Sequence, residues 1–224
     1  MCASAEKQNG RPAAHDDSQA VYRHDARPPC SSGYLVPVVV RACRAAGARR
    51  VLDLGCGNGT LCRALADAGF EVAGLEPSPS GVAAAARAVP EGTFRCGSVY
   101  DGPGIVPESD FDAVVSTEVV EHLFRPSALP VLAFAKLKPG GTFVVSTPYH
   151  GYLKNLLLAL ANRWDSHHSP NWDGGHVKFW SRRTLTALLE ANGFRVLEFH
   201  GAGRIPGLWK SMVLVAQKTS GGRT

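Results

Sequence analysis

The chain has no CxxC pair, no Lys/Arg run longer than two residues and no internal repeat. It also has no apolar run near the roughly 18 residues that a membrane-crossing helix needs. Each absence removes a class of protein. The six cysteines, at 2, 30, 43, 56, 62 and 96, have neither zinc-knuckle spacing nor the regularity of a disulfide framework. They read as reduced thiols of a cytoplasmic protein. A formal charge of +5 without a basic stripe argues against nucleic acid as the main partner. Residues 1–30 are polar and lack the apolar core of a signal peptide, so they are expected to be a mobile tail, as are 219–224. What remains, 31–218, suits one domain carrying a lid.

That domain alternates. "RRVLDLG", "FEVAGLEP", "TFRCGSV", "FDAVVSTE" and "TFVVSTP" are short apolar strands. Between them lie helical stretches, "TLCRALADAG", "SPSGVAAAARAV" and residues 126–137, and a helix over 34–46 precedes them. "PGG" at 139–141 reads as a turn. The alternation predicts an α/β, Rossmann-like, doubly wound parallel sheet with helices on both faces. After Pro148 the rhythm breaks, and 149–180 is expected to be a lid or acceptor-binding insert opening with one helix, "YLKNLLLALANRW". "SRRTLTALLEANGF" resumes as a helix capped by Ser181 and ended by Gly193. "RVLEFHGAG" and "SMVLVAQK", joined by a short link, read as an antiparallel pair.

The first strand runs into Gly55-Cys56-Gly57-Asn58-Gly59-Thr60. Glycines there let a ligand approach the backbone. The spacing is G-x-G-x-G, so the dinucleotide fingerprint is incomplete, and no G-K-[ST] of a phosphate loop follows. Glu76 ends the second strand, where a carboxylate can accept hydrogen bonds from ribose hydroxyls. Asp53 sits inside the first strand, out of place unless it serves a cationic ligand group. Adenosine plus a cation, with no required phosphate, points to S-adenosylmethionine.

"VLDLGCGNG", "GLEPS", "FDAVVSTEVVEHL" and "LKPGGTFVVSTP" together resemble the class I S-adenosylmethionine-dependent methyltransferases, over about 34–218. The resemblance implies seven strands, the last antiparallel. It implies that Asp53, Gly55, Gly57 and Asn58 hold the methionine part, that Glu76 with the following Pro77 holds the ribose, and that Ser98 and Val99 flank the adenine. Thr117 and Glu118 would line the methyl-donor cleft. Many relatives carry Asp where this chain has Ser98.

Methyl transfer needs an acceptor held in line and, for a hydroxyl, a base. Five of the eight histidines lie between 122 and 176. His122, His150 and His176 are the candidate catalytic residues. At helical spacing Glu118, Glu121 and His122 would share one face. With His176 they could hold a divalent metal. E-x-x-E-H followed by a distant histidine also resembles the small-RNA 3′-terminal 2′-O-methyltransferases, whose pattern would make these four the ligands. E-V-x-E-H is equally a feature of the ubiquinone-biosynthesis O-methyltransferases. The helix over 152–163 reads either as packing, as a lid over an apolar acceptor, or as a peripheral membrane contact. Three functions stay open at this point: O-methylation of a small-molecule phenol, quinol or sugar hydroxyl, metal-assisted RNA 2′-O-methylation, and S-adenosylmethionine binding without catalysis. The oligomeric state is not legible.

Overall fold

The computed structural model describes residues 27–220 except 169, 170 and 172, so most of the predicted N-terminal tail and residues 221–224 lie outside the described residues. Seven strands form one sheet: β1 (Arg50–Leu54), β2 (Glu71–Glu76), β3 (Thr93–Cys96), β4 (Phe111–Thr117), β5 (Leu137–Pro148), β6 (Phe194–Ala202) and β7 (Ser211–Lys218). Their order is β3-β2-β1-β4-β5-β7-β6. The neighbours β1 to β5 pair in parallel, while β7 runs antiparallel between β5 and β6.

Alternation along each buried strand divides the core between two faces. Val51, Val72, Val115, Val144 and Val213 point one way. They meet α1 (Ser32–Ala45), α2 (Thr60–Asp67) and α3 (Pro79–Ala88) through Leu35, Val39, Leu61, Leu65 and Ala85. Leu52, Leu54, Leu75, Phe143 and Leu214 point the other way, onto Leu129 and Leu132 of α4 (Ala128–Lys136) and Leu185 and Leu189 of α7 (Arg182–Glu190). Burial of a side chain such as Leu54, wholly inaccessible, contributes about 1.5–3 kcal/mol. Ser181 caps α7 as expected: its Oγ accepts from Thr184 N, and Thr184 Oγ1 accepts from Ser181 N.

Three local expectations are corrected. "PGG" is not a turn ahead of β5. The strand runs through it, and the register jumps from Phe111↔Leu137 to Ala113↔Thr142, so residues 138–141 bulge out of the ladder. The insert does not open with one long helix. Asn162 takes a left-handed φ of 49° just after α5 (Tyr152–Leu160), which stops there, and a separate short helix, α6 (Trp164–His168), follows. Finally, Glu118, Glu121 and His122 do not lie on an α-helix. Glu118 takes φ 55° at the end of β4, and only Val120–His122 form a short 3₁₀ turn.

The sheet places β1 between β2 and β4, whose connections lead to opposite faces. Ligands in such sheets bind in the crevice beyond the strand C-termini at this point. Among the described residues, no helix is long and apolar enough to cross a membrane.

Candidate active site

The turn after β1 is built from backbone. Gly55 N and Cys56 N both donate to Leu75 O of β2, at 2.7 and 3.1 Å. Gly55, Gly57 and Gly59 all have positive φ, at 83°, 53° and 80°. Two of these glycines are needed for the protein's own packing. A Cβ on Gly55 would sit 2.5 Å from Val119 Cγ2, and one on Gly59 would sit 2.7 Å from Ala85 Cα. Close approach is thus used by β4's exit and by α3, an origin that sequence spacing does not reveal.

Glu76, at the end of β2, is buried. Its Oε2 accepts from Gly57 N at 3.0 Å and its Oε1 from Ser78 N at 2.9 Å. The carboxylate therefore fastens the glycine turn to the start of α3. Asn58 Oδ1 accepts from Thr60 N and Oγ1, and its Nδ2 donates to Arg27 O, so the side chain organises the entry into α2. Pro77 offers its carbonyl to Cys96 Sγ. Ser98 caps the 3₁₀ turn Val99–Asp101: its Oγ accepts from Tyr100 N, and Asp101 Oδ2 accepts from Ser98 N at 2.8 Å. An acid therefore sits in this turn at Asp101, where its carboxylate is held by the Ser98 backbone.

Asp53 is almost wholly buried in β1. Oδ2 accepts a weak bond from Cys62 Sγ at 3.5 Å, while Oδ1 has no hydrogen-bond partner. Burial, relieved in part by Cys62 and reinforced by the charge of Glu76, pushes its carboxyl up to about 7. An orphaned buried carboxylate beside a second one is costly alone and favourable to a cation. The glycine turn, Asp53 and Glu76 therefore fit the amino and ribose groups of S-adenosylmethionine.

At the end of β4 the predicted acidic cluster divides. Thr117 is the last residue of β4, in register with Ser146. Glu118 turns to β5 and β7, where Oε1 accepts from Ser146 Oγ at 2.8 Å and Oε2 from Ser211 Oγ at 3.1 Å. Tyr34 of α1 reaches Ser211 Oγ at 3.3 Å. Glu121 Oε2 accepts from Thr147 Oγ1 at 3.0 Å, and its Oε1 is buried without a partner. Burial pushes Glu118 up to about 7, and burial, with Glu118 beside it, holds Glu121 high.

The insert returns to this corner. Val177 N and Lys178 N both donate to Glu121 O, which brings His176 beside His122 with ring centroids 5.0 Å apart. One ligand atom each of Glu121, His122 and His176 lies within 4.8 Å of the others. Three of the four metal ligands named from sequence thus converge, and Glu118 is engaged elsewhere. His122 Nδ1 lies 2.8 Å from Gly174 O and 3.3 Å from Gly175 O. Carbonyls only accept, so Nδ1 carries the proton. Burial lowers the His122 pKa, which keeps the ring neutral and leaves Nε2 as its basic nitrogen. Burial, then the neighbouring His122, brings His176 down to about 4. His150 is grouped with His167 and His168 instead.

Helix α5 is turned inside out. Its one charged residue, Lys154, is its only buried one, donating to Tyr149 O at 2.8 Å, while Tyr152, Leu153, Leu156, Leu157 and Leu160 are exposed.

A seven-stranded sheet with this order, carrying a glycine turn after β1 and buried carboxylates in β1 and at the end of β2, defines the class I S-adenosylmethionine-dependent methyltransferase fold. The profile of the methyltransferase-domain family matches residues 22–198, and the chain belongs to that family. It is 34% identical over 171 residues to a ubiquinone biosynthesis O-methyltransferase of Bradyrhizobium diazoefficiens, covering 72% of this chain and 64% of the relative. A probable S-adenosylmethionine-dependent methyltransferase of Mycolicibacterium smegmatis is 35% identical over 164 residues, 71% of this chain and 58% of the relative. The chain therefore spans roughly three-fifths of the length of these relatives. Among solved structures, magnesium protoporphyrin IX methyltransferase of Synechocystis with bound SAH aligns with a TM-score of 0.64 at 20% identity, covering 83% of this chain and 82% of that one. The [4+2]-cyclase SpnF aligns with a TM-score of 0.66 at 19% identity, covering 90% and 86%. At these identities the structures speak for the fold alone.

Proposed function

We propose that this protein transfers the methyl group of S-adenosylmethionine to a small-molecule hydroxyl, a phenol or quinol before a sugar. When bound, the cofactor supplies a methyl on a sulfonium already activated for in-line displacement. Asp53 meets the cationic amino group, Glu76 the ribose hydroxyls, and the Ser98–Asp101 turn the adenine. His122 carries the reading. Its proton is fixed on Nδ1 by Gly174 O, which leaves Nε2 as the basic nitrogen of a neutral ring five residues beyond the end of β4. A phenol or quinol is favoured by the names of the ubiquinone-pathway relatives and by the exposed leucines of α5, which suit an apolar acceptor or the membrane surface that carries one.

A second reading adds a divalent ion at Glu121, His122 and His176, favoured by the orphaned Glu121 Oε1. There the ion would polarise the acceptor oxygen. Titration calorimetry with S-adenosylmethionine, followed by release of its demethylated product over catechols, quinols and sugars, tests both. Glu76→Ala is expected to weaken cofactor binding about 100-fold, the loss of two charge-assisted hydrogen bonds. Unchanged binding in that variant would sink the site. Turnover that requires Mg²⁺ or Mn²⁺, with the metal concentration needed rising steeply in Glu121→Gln, would establish the metal-assisted form.

A further inference from the structure

Three histidines that this reaction does not use meet where β5 enters the insert. His150 follows β5 by two residues, and His167 and His168 end α6. One ring nitrogen of each lies within 4.8 Å of the other two. His150 stacks on His168 with centroids 5.6 Å apart and 20° between the planes, and His167 stands edge-on to His168 at 4.9 Å. Phe179 closes the group edge-on to both His150 and His168. Within this packed group His168 Nε2 is buried and has no hydrogen-bond partner. A buried, unpaired imidazole nitrogen is costly unless something binds it.

Helix α6 raises the same question. It has five residues and buries none of them. Isolated helices shorter than about 12 residues are marginal in water, so packing or a ligand must hold this one.

The geometry points to a tri-imidazole metal site: His150, His167 and His168 bind one divalent transition ion of the zinc type, and the ion clamps α6 to the end of β5. Zinc–nitrogen bonds of about 2.0–2.1 Å in a tetrahedron place ligand nitrogens roughly 3.3 Å apart, so side-chain rotations need bring the nitrogens closer by no more than about 1.5 Å. Three protein ligands leave a fourth position for water. All three rings are supplied neutral, as ligation requires: burial, then the charge of Lys154, lowers each, His150 to about 4. Lys154, and Arg204 near His167, also repel any cation. With no carboxylate among the ligands, hard ions that seek oxygen are excluded, and Zn²⁺, Ni²⁺ or Cu²⁺, which bond strongly to imidazole, are selected.

The test uses the full chain without a histidine tag, stripped with a chelator. Zn²⁺ binding is followed by calorimetry and by metal content after dialysis, with Mg²⁺ in large excess, and Co²⁺ serves as the spectroscopic substitute. His167→Ala and His168→Ala are each expected to weaken Zn²⁺ binding more than tenfold, since even outer-shell partners are worth about that much. His122→Ala with His176→Ala is expected to leave it within about twofold, since neither ring is among the three ligands. Zn²⁺ is also expected to slow proteolysis at 161–163 in the parent and not in His168→Ala. His167 is exposed, so its removal spares the core, and circular dichroism verifies the fold. Binding unchanged in both His167→Ala and His168→Ala overturns the proposal. So does loss only in the His122/His176 variant, or Zn²⁺ affinity weaker than about 1 mM.

Discussion

Replacing Gly55 with Ala tests whether the glycine turn answers to the protein's own packing. Two costs add. A left-handed residue with a Cβ costs about 1–2 kcal/mol, and Gly55 has φ 83°. The new methyl also lands 2.5 Å from Val119 Cγ2, well inside contact distance. Overpacking of this kind costs about 1–3 kcal/mol. The sum is about 2–5 kcal/mol, or a fall in Tm of about 6–15 °C for a chain of this size. Only the second cost involves Val119. Val119→Ala deletes both Cγ atoms, so the double variant Gly55→Ala/Val119→Ala should recover the clash and keep the backbone cost. Urea denaturation of the four ligand-free proteins gives the cycle. A coupling of about 1–3 kcal/mol is expected. Additivity within about 0.5 kcal/mol would refute the packing argument. The close approach would then serve the ligand alone.

Further outcomes follow from the site's charges and caps. Asp53 has a folded pKa of about 7, above its unfolded value of about 3.9. The native state therefore binds the extra proton between those values, and this contribution to stability falls as pH rises from about 4 to about 7. Asp53→Asn should remove the decline, making the variant the more stable protein at pH 8 and about equal to the parent at pH 4. A pH-independent difference in urea midpoints would contradict this. His122→Gln should lower kcat by about 10²–10⁴ with S-adenosylmethionine affinity unchanged, and a parallel loss of affinity would assign His122 to the cofactor instead. Ser181→Ala removes the cap of α7 and should cost about 1 kcal/mol in thermal unfolding without changing cofactor affinity.

The parts of this architecture written in local patterns were readable from sequence. Short apolar runs alternating with helical stretches pointed to the parallel sheet. Ser181 as N-cap and Gly193 bounded α7. Asp53 and Glu76 stood out because a carboxylate in an apolar strand needs a reason. What escaped depends on contacts between distant residues. Glu118 faces Ser146 and Ser211, 28 and 93 residues away. Nothing in "STEVVEH" shows that its carboxylate is taken up by those serines, because the left-handed φ at 118 replaces the helical spacing. The helix over 152–163 was read through Asn162, a residue type that tolerates the left-handed region and so can break a helix without glycine or proline. "PGG" carries the composition of a turn, yet the ladder resumes beyond the bulge because β4 and β7 hold both sides of β5.

The backbone of Glu118 has a consequence for attempts to improve this protein. A non-glycine residue at φ 55° stores about 1 kcal/mol that glycine or asparagine would release. Its partly buried carboxyl, pushed up to about 7, adds a further penalty at neutral pH. A library selected only for heat resistance would therefore tend to enrich Glu118→Gly or Glu118→Asn. Those winners would leave Ser146 and Ser211 without their acceptor. Position 118 thus acts as a sentinel: its appearance among thermostable clones would flag a gain in endurance drawn from the corner where β4, β5 and β7 meet.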